Sequence, residues 1–256
     1  MSHFYITLPS DSSANYYPDN TIARFTTKLP ERIRLEGEYE MGLAEIIYPH
    51  TWYNVDNEDK KYWVAAIGSG SNRMQTVYLP SGYYESGSDI AAVLNREFSR
   101  LVQDVKAEFS YSESMGRFSL SAQARGSQIL GMSEDLQRYM GFDLSTVLLD
   151  PVSFGTMAKQ AFDVNRGLNL LYVYCDVAMH TIVGDTKTPL LRACNVAGKH
   201  GEFVRHTYVQ PHYVPVGRRE FDSIEIAINN ELGKPMPFEY GKSVVTLHFR
   251  RKRTFP

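Results

Sequence analysis

The chain has 256 residues, of which 43% are hydrophobic, 22% charged and 12% aromatic, a globular composition that excludes the disordered and fibrous classes. A chain of this length buries roughly 73% of its unfolded surface and needs no disulfide staples. The 27 Lys and Arg balance 29 Asp and Glu, which excludes a wholly basic nucleic-acid coat or an acidic chaperone, so any charge effect must be local.

The first regular pattern is residues 21–29, where Ala23, Phe25, Thr27 and Leu29 alternate with Arg24, Thr26 and Lys28 as in a half-buried strand. Pro30 is expected to break it, and residues 31–48 read as two strands around Glu36-Gly37-Glu38, closed by Pro49. Residues 61–67 form a further strand, 68–72 a Gly/Ser/Asn loop, and 74–80 another strand. The pattern then changes. Ile90, Leu94, Phe98, Leu101 and Val102 follow a 3.6-residue period, with Ser88 as the expected N-cap and Asp89 in the first turn. Residues 107–111 and 117–122 alternate around Ser112–Gly116 as a hairpin. Ser133 should cap a short helix over 134–140, ended by Gly141 in a left-handed turn.

Beyond residue 145 strands return. Residues 168–177 are apolar on both faces, which predicts a central strand buried on two sides. Residues 187–195, 202–209, 220–228 and 242–250 continue the series, with Ile224, Ile226 and Ile228, then Val245, Leu247 and Phe249, pointing inward. About ten strands and two helices result. The expected fold is mainly β: one sandwich made of residues 1–80 and 146–256, closed by sequence-distant strands, with a helix–hairpin–helix insertion at 81–145.

Motifs for chemistry are weak. Gly241-Lys242-Ser243 looks like the end of a phosphate loop, but Met236 stands where the first glycine belongs and a strand follows, so a plain turn is expected. His200, His206 and His212 recur every six residues, about 20 Å along a strand, too far apart to share one metal ion unless a loop doubles back. Glu38, Glu40 and Glu45 have ordinary solvated-face spacing rather than a recognisable acid–base pair. Cys175 and Cys194 lie in apolar strands without any CxxC and read as reduced, buried thiols. The chain has no basic-then-apolar leader, no 18-residue apolar run and no N-x-[ST] sequon, which predicts a soluble protein made in the cytosol. The one charge asymmetry is the four consecutive cations Arg250, Arg251, Lys252 and Arg253.

Phe4–Ser10 followed by Asn15–Thr21, then Leu35–Leu43 and Tyr48–Trp52, resembles the minor capsid (penton) proteins of Polinton/Maverick elements and related adinto-like viruses. Val214–Phe221, Ile224–Ile226, Phe238 and Gly241–Val245 are similar to the same family's C-terminal strands. The resemblance implies a single jelly roll that forms homopentamers at the fivefold vertices of an icosahedral capsid, beside a separate double-jelly-roll major capsid protein. It also implies a virion location after synthesis in the host cytoplasm, with no enzyme activity, cofactor, metal or membrane partner. Under this resemblance the candidate interface residues are Tyr16, Tyr17, Pro49, His50 and Trp52. The basic tail of Arg250, Arg251, Lys252 and Arg253 has three readings from its charge: a solvated strand end with a loose tail, a contact for a neighbouring protein's acidic surface, or a weak contact with packaged DNA. The residues alone leave two other functions open, a phage-like tail or baseplate component and a carbohydrate-binding or carbohydrate-active sandwich.

Overall fold

Alternating apolar residues at the two ends of the chain meet in space as one sandwich. In the computed structural model, which describes residues 3–67, 74–102, 105–124, 129–143, 154–165 and 168–252, the chain begins with strands β1 (His3–Pro9), β2 (Arg24–Arg34) and β3 (Tyr39–Pro49). It continues through β4 (Trp63–Ile67), β5 (Met74–Tyr78), helix α1 (Gly87–Leu101), β6 (Val105–Ser112), β7 (Arg117–Ala124), β8 (Ile129–Met132), α2 (Glu134–Met140) and β9 (Phe154–Met157). It then returns as β10 (Leu170–Cys175), β11 (Thr181–Val183), β12 (Thr186–Thr188) and β13 (Leu190–Asn195). The last strands are β14 (Phe203–Thr207), β15 (Val214–Pro215), β16 (Glu220–Asn229) and β17 (Val244–Arg251). Two compact units result, one of Met1–Trp52 with Gly167–Pro256, the other of Tyr53–Arg166.

In the first unit one sheet runs β1-β17-β3-β14, with β15 also on β3, and the other runs β13-β10-β16-β2. Every pairing in them is antiparallel. Taken along the chain, β1, β2, β3 and β10 alternate between the sheets, and after β13 the chain alternates again through β14, β16 and β17. That connectivity is a jelly roll. The expected inward residues Ile224, Ile226, Ile228, Val245, Leu247 and Phe249 are all fully buried and pack with Phe25, Met41, Leu43 and Val173.

Two expectations for this unit change. Pro30 does not end β2, which continues to Arg34. β2 is an edge strand, so the missing N–H of Pro30 costs no rung, and a register shift opposite Phe221 and Ser223 absorbs the irregularity. β10 is central but not buried on both faces. Leu171, Val173 and Cys175 are buried, whereas Leu170, Tyr172 and Tyr174 are half-exposed, because a tyrosine can cover a sheet face while its hydroxyl meets water.

The second unit has two three-stranded sheets, β5-β4-β8 and β6-β7-β9. It has its own core, including Val64, Leu94, Phe98, Phe118 and Leu136. Residues 61–67 and 74–80, expected in the sandwich by strand character, instead pair with each other, and β4 also pairs with β8. Alternation reveals a strand's faces but not its partner. The loop expected at 68–72 lies outside the described residues. The N-cap of α1 is Ser86 rather than Ser88: its side chain accepts from the Asp89 N–H while the Asp89 carboxylate accepts from the Ser86 N–H. Ser88 instead donates to Glu113 at 2.9 Å. α2 forms as its sequence predicts, capped by Ser133 and ended by Gly141 at φ +81°.

Four asparagines brace both units. The Asn20 amide accepts from Thr26 N–H at 2.8 Å and donates to Thr26 C=O at 2.9 Å. Asn54 grips Tyr84 in the same way (2.9 and 2.8 Å), Asn57 grips Tyr62 (2.8 and 3.0 Å), and Asn95 grips Phe109 (2.8 and 2.8 Å). A primary amide carries one donor and one acceptor side by side, so it copies an antiparallel rung without a strand. Asn20 thereby closes the outer edge of β2, helped by Ser13 Oγ, which accepts from Lys28 N–H at 3.0 Å. Asn95, on α1, does the same for the edge strand β6.

Candidate assembly surfaces

The β1–β2 connection places the first pair of candidate residues. Asn20 and Ser13 fasten this loop to the β2 edge, and Ser13 adopts φ +60° to do so. Tyr16 projects from the fastened loop and is 71% exposed, while Tyr17 is half-buried. An anchored loop carrying an exposed aromatic has low entropy left to lose on contact, which suits an interface.

Pro49 ends β3, His50 and Trp52 follow it, and all three are buried, Trp52 being 1% exposed. The His50 ring stacks on Trp52 with centroids 4.0 Å apart, and its Nδ1–H donates to the Ala197 carbonyl at 3.0 Å. Burial lowers the basicity of His50; the Ala197 carbonyl opposes that shift and the neighbouring His200 adds to it. Thr51 donates to the Tyr240 carbonyl, and Tyr48 OH accepts from Ala197 N–H. These residues build a platform rather than display themselves. What the platform displays is Phe203 and Tyr240, 60% and 54% exposed. Sequence reading missed both, although the alternation of Phe203, Arg205 and Thr207 along β14 puts a phenylalanine on an otherwise polar face.

The C-terminal cations separate once placed on β17. Arg250 donates to Glu40 at 2.6 Å and lies 3.4 Å above the Tyr213 ring. Tyr213 is hydrogen-bonded to His248 Nδ1 at 2.7 Å, and Tyr5 stacks on the same imidazole at 4.4 Å. Arg251 ends the strand, and Lys252 lies 3.6 Å from Glu38. Arg253 lies outside the described residues. Two of the four cations are therefore part of a sheet face rather than of a loose tail.

Other chemistry-bearing residues have structural partners. Glu38, Glu40 and Glu45 each pair with a cation, Lys252, Arg250 and Arg205 respectively. His206 stacks on Tyr48, His200 faces His50, and no group of three or more His, Cys, Asp or Glu among the described residues could hold a metal ion. Ser243 is fully buried, donating its hydroxyl to Ile22 C=O and its N–H to Ser10, so the Gly-Lys-Ser run ties β17 to the β1 end. Cys175 and Cys194 are free and buried, and burial raises both thiols. No described helix is long and apolar enough to cross a membrane.

The topology defines a single jelly roll, an architecture used by viral capsid and lectin domains, interrupted between its third and fourth sandwich strands by a separate unit. No protein-family model matches the chain, and no curated protein does. Among solved structures it is similar to the mavirus penton protein, with TM-score 0.54 and 10% identity over 97% of this chain and 99% of that one. It is also similar to a chain in the structure of the Sputnik virophage, with TM-score 0.50 and 11% identity over 98% of both chains. At such identities the likeness is one of fold, and it agrees with the penton-type jelly roll that the sequence resemblance implies.

Proposed function

We propose that the chain is a viral structural subunit of the penton type, which acts without chemistry by closing into a homopentamer at a capsid vertex. The observation that carries this reading is the jelly-roll connectivity with its insertion after β3, in a fold whose likeness to a penton protein runs the length of both chains. A five-membered ring uses heterologous contacts, so one flank of each subunit meets the opposite flank of the next. The anchored loop with Tyr16 and Tyr17 lies on the β2 flank, and Phe203 with Tyr240 lies on the β14 flank, over the support of Pro49, His50 and Trp52. Aromatic anchors on both flanks suit such a contact, which needs roughly 800 Å² from each partner. The outer surface of the ring would meet a double-jelly-roll major capsid protein, and the run Arg250 to Arg253 would add at most a weak, salt-sensitive contact with packaged DNA, since Arg250 and Lys252 already face Glu40 and Glu38.

Light scattering across a concentration series tests the reading. The expected result is about 146 kDa, five copies of the 29.2 kDa chain, with fivefold rings in electron micrographs and a smaller mass for the Tyr16→Ala/Phe203→Ala variant. A monomer at every concentration, also without rings when mixed with a major capsid protein, overturns it.

A further inference from the structure

At the end of the sandwich where β3 begins, the β2–β3 turn, the β15–β16 connection and the end of β17 enclose a cleft of about 370 Å³. One wall is apolar, made by Leu35, Tyr39, Met179, Pro215 and Val216. The rim is cationic, with Arg218, Arg219 and Lys252 lining it. Arg218 is bound at 3.1 Å to the half-buried Asp176, which also accepts from Glu225 N–H, whereas Lys252 and Glu38 form an exposed pair that contributes little. Arg219 and Arg251 have no ion-pair partner among the described residues. Arg251 runs along the turn at Gly37, where φ is +95° and a Cβ would sit only 3.2 Å from the guanidinium Nη2. Two exposed guanidiniums without ion pairs therefore stand at this half-apolar recess, Arg219 in its lining and Arg251 against Gly37 at its edge.

Four backbone N–H groups around the recess are already committed within the fold. Leu35 N–H donates to Arg219 C=O, Val216 N–H to Tyr39 C=O, Met179 N–H to Pro215 C=O and Lys252 N–H to Glu38 C=O. Recognition then rests mainly on side chains. The guanidiniums favour planar carboxylates or phosphates in two-point contacts, and the exposed Met179 is an adaptable apolar surface. A nucleic-acid backbone would use the guanidiniums but leave the apolar wall uncovered, and Glu38 and Asp176 at the same cleft oppose a continuous polyanion. An extended peptide with carboxylates on either side of a large apolar residue satisfies both halves, and the volume suits one such side chain with its flanks.

We propose that this cleft docks an extended peptide segment of another protein, in which a Leu- or Phe-sized side chain enters against Tyr39 and Met179 while neighbouring carboxylates pair with Arg219 and Arg251. The proposal stands apart from pentamer formation, since the cleft lies within one sandwich. A displayed library of random peptides roughly ten residues long, panned on the full chain, tests it. The expected enrichment is acid–apolar–acid sequences. A labelled enriched peptide should lose about tenfold or more in affinity with Arg219→Ala/Arg251→Ala, bind more weakly as salt rises, and bind equally to Arg205→Ala. Both arginines are exposed, so circular dichroism should be unchanged in the variant. Three results overturn the proposal: no acidic enrichment, equal binding by the double variant, or binding of a labelled duplex DNA that the double variant loses while no peptide binds.

Discussion

The sandwich closes only when β1, residues 3–9, meets β17, residues 244–251, whereas the inserted unit is one continuous stretch whose central hairpin is turned by Glu113–Gly116. Each has a separate core, yet they depend on different kinds of information. The jelly roll relies on strands from distant parts of the chain, so loop-closure entropy must be overcome before any central rung forms. The inserted unit relies on local devices: a capping box, a left-handed glycine and amides that replace rungs. A fold of the first kind fails when any strand fails, and one of the second kind can be weakened piece by piece.

The hardest test of this contrast truncates each core. Phe249 is fully buried and stacks on Phe4 at 4.9 Å, and Phe118 is its buried counterpart in the inserted unit. Alanine at either should cost about 3–5 kcal/mol. In hydrogen exchange, Phe249→Ala should release amides of β1, β3 and β17, while Phe118→Ala should release those of α1, β6 and β7. Identical exchange patterns would erase the division between the units. Next come the amide braces: Asn20→Ala and Asn95→Ala should each cost about 1–3 kcal/mol in urea unfolding, since a rung is left unmade at a sheet edge. Smaller again is the cap. Ser86→Ala should cost about 1 kcal/mol, and Ser88→Ala only a few tenths. A reversed order would return the cap to Ser88.

The smallest effect is pH dependence at the Tyr5–His248–Tyr213 stack. Burial lowers the basicity of His248, and His3 and Arg250 push the same way. The unfolded state therefore binds the proton more readily, so the contribution of this residue is fully present above the ordinary histidine value of about 6.5 and is lost progressively as pH falls from there through the lower folded value. Unfolding midpoints measured from about pH 7 to about pH 5 should decline less steeply in His248→Gln than in the parent chain. Equal slopes would remove the role assigned to that imidazole.

Much of this was legible in the sequence, and what was not has physical causes. Period-2 alternation identified the inward faces of β2, β16 and β17 down to Phe25, Ile226 and Leu247, because a half-buried strand has no other way to separate core from water. α2 was legible from both ends through Ser133 and Gly141. The short strands β8 and β9 were not: with four residues each, and Gly131 and Gly155 inside them, they offer too little alternation to read. The partner of β4 was hidden because pairing depends on distant chain, and Ser86 lost to Ser88 because both precede the helical pattern. Of the candidate contacts, Tyr16 sits at the surface, while Trp52 and His50 are buried as footing beneath Phe203 and Tyr240. Aromatic identity alone does not distinguish an anchor from its support.

Asn20 has a wider consequence than the rung it replaces. With the Thr26 backbone and Lys28 N–H already occupied by the chain's own side chains, the β13-β10-β16-β2 sheet is plugged at one margin, while β13 at the other has no strand beside it among the described residues. A foreign strand could lengthen that sheet in one direction only, so runaway stacking of sheet upon sheet is blocked at its first step.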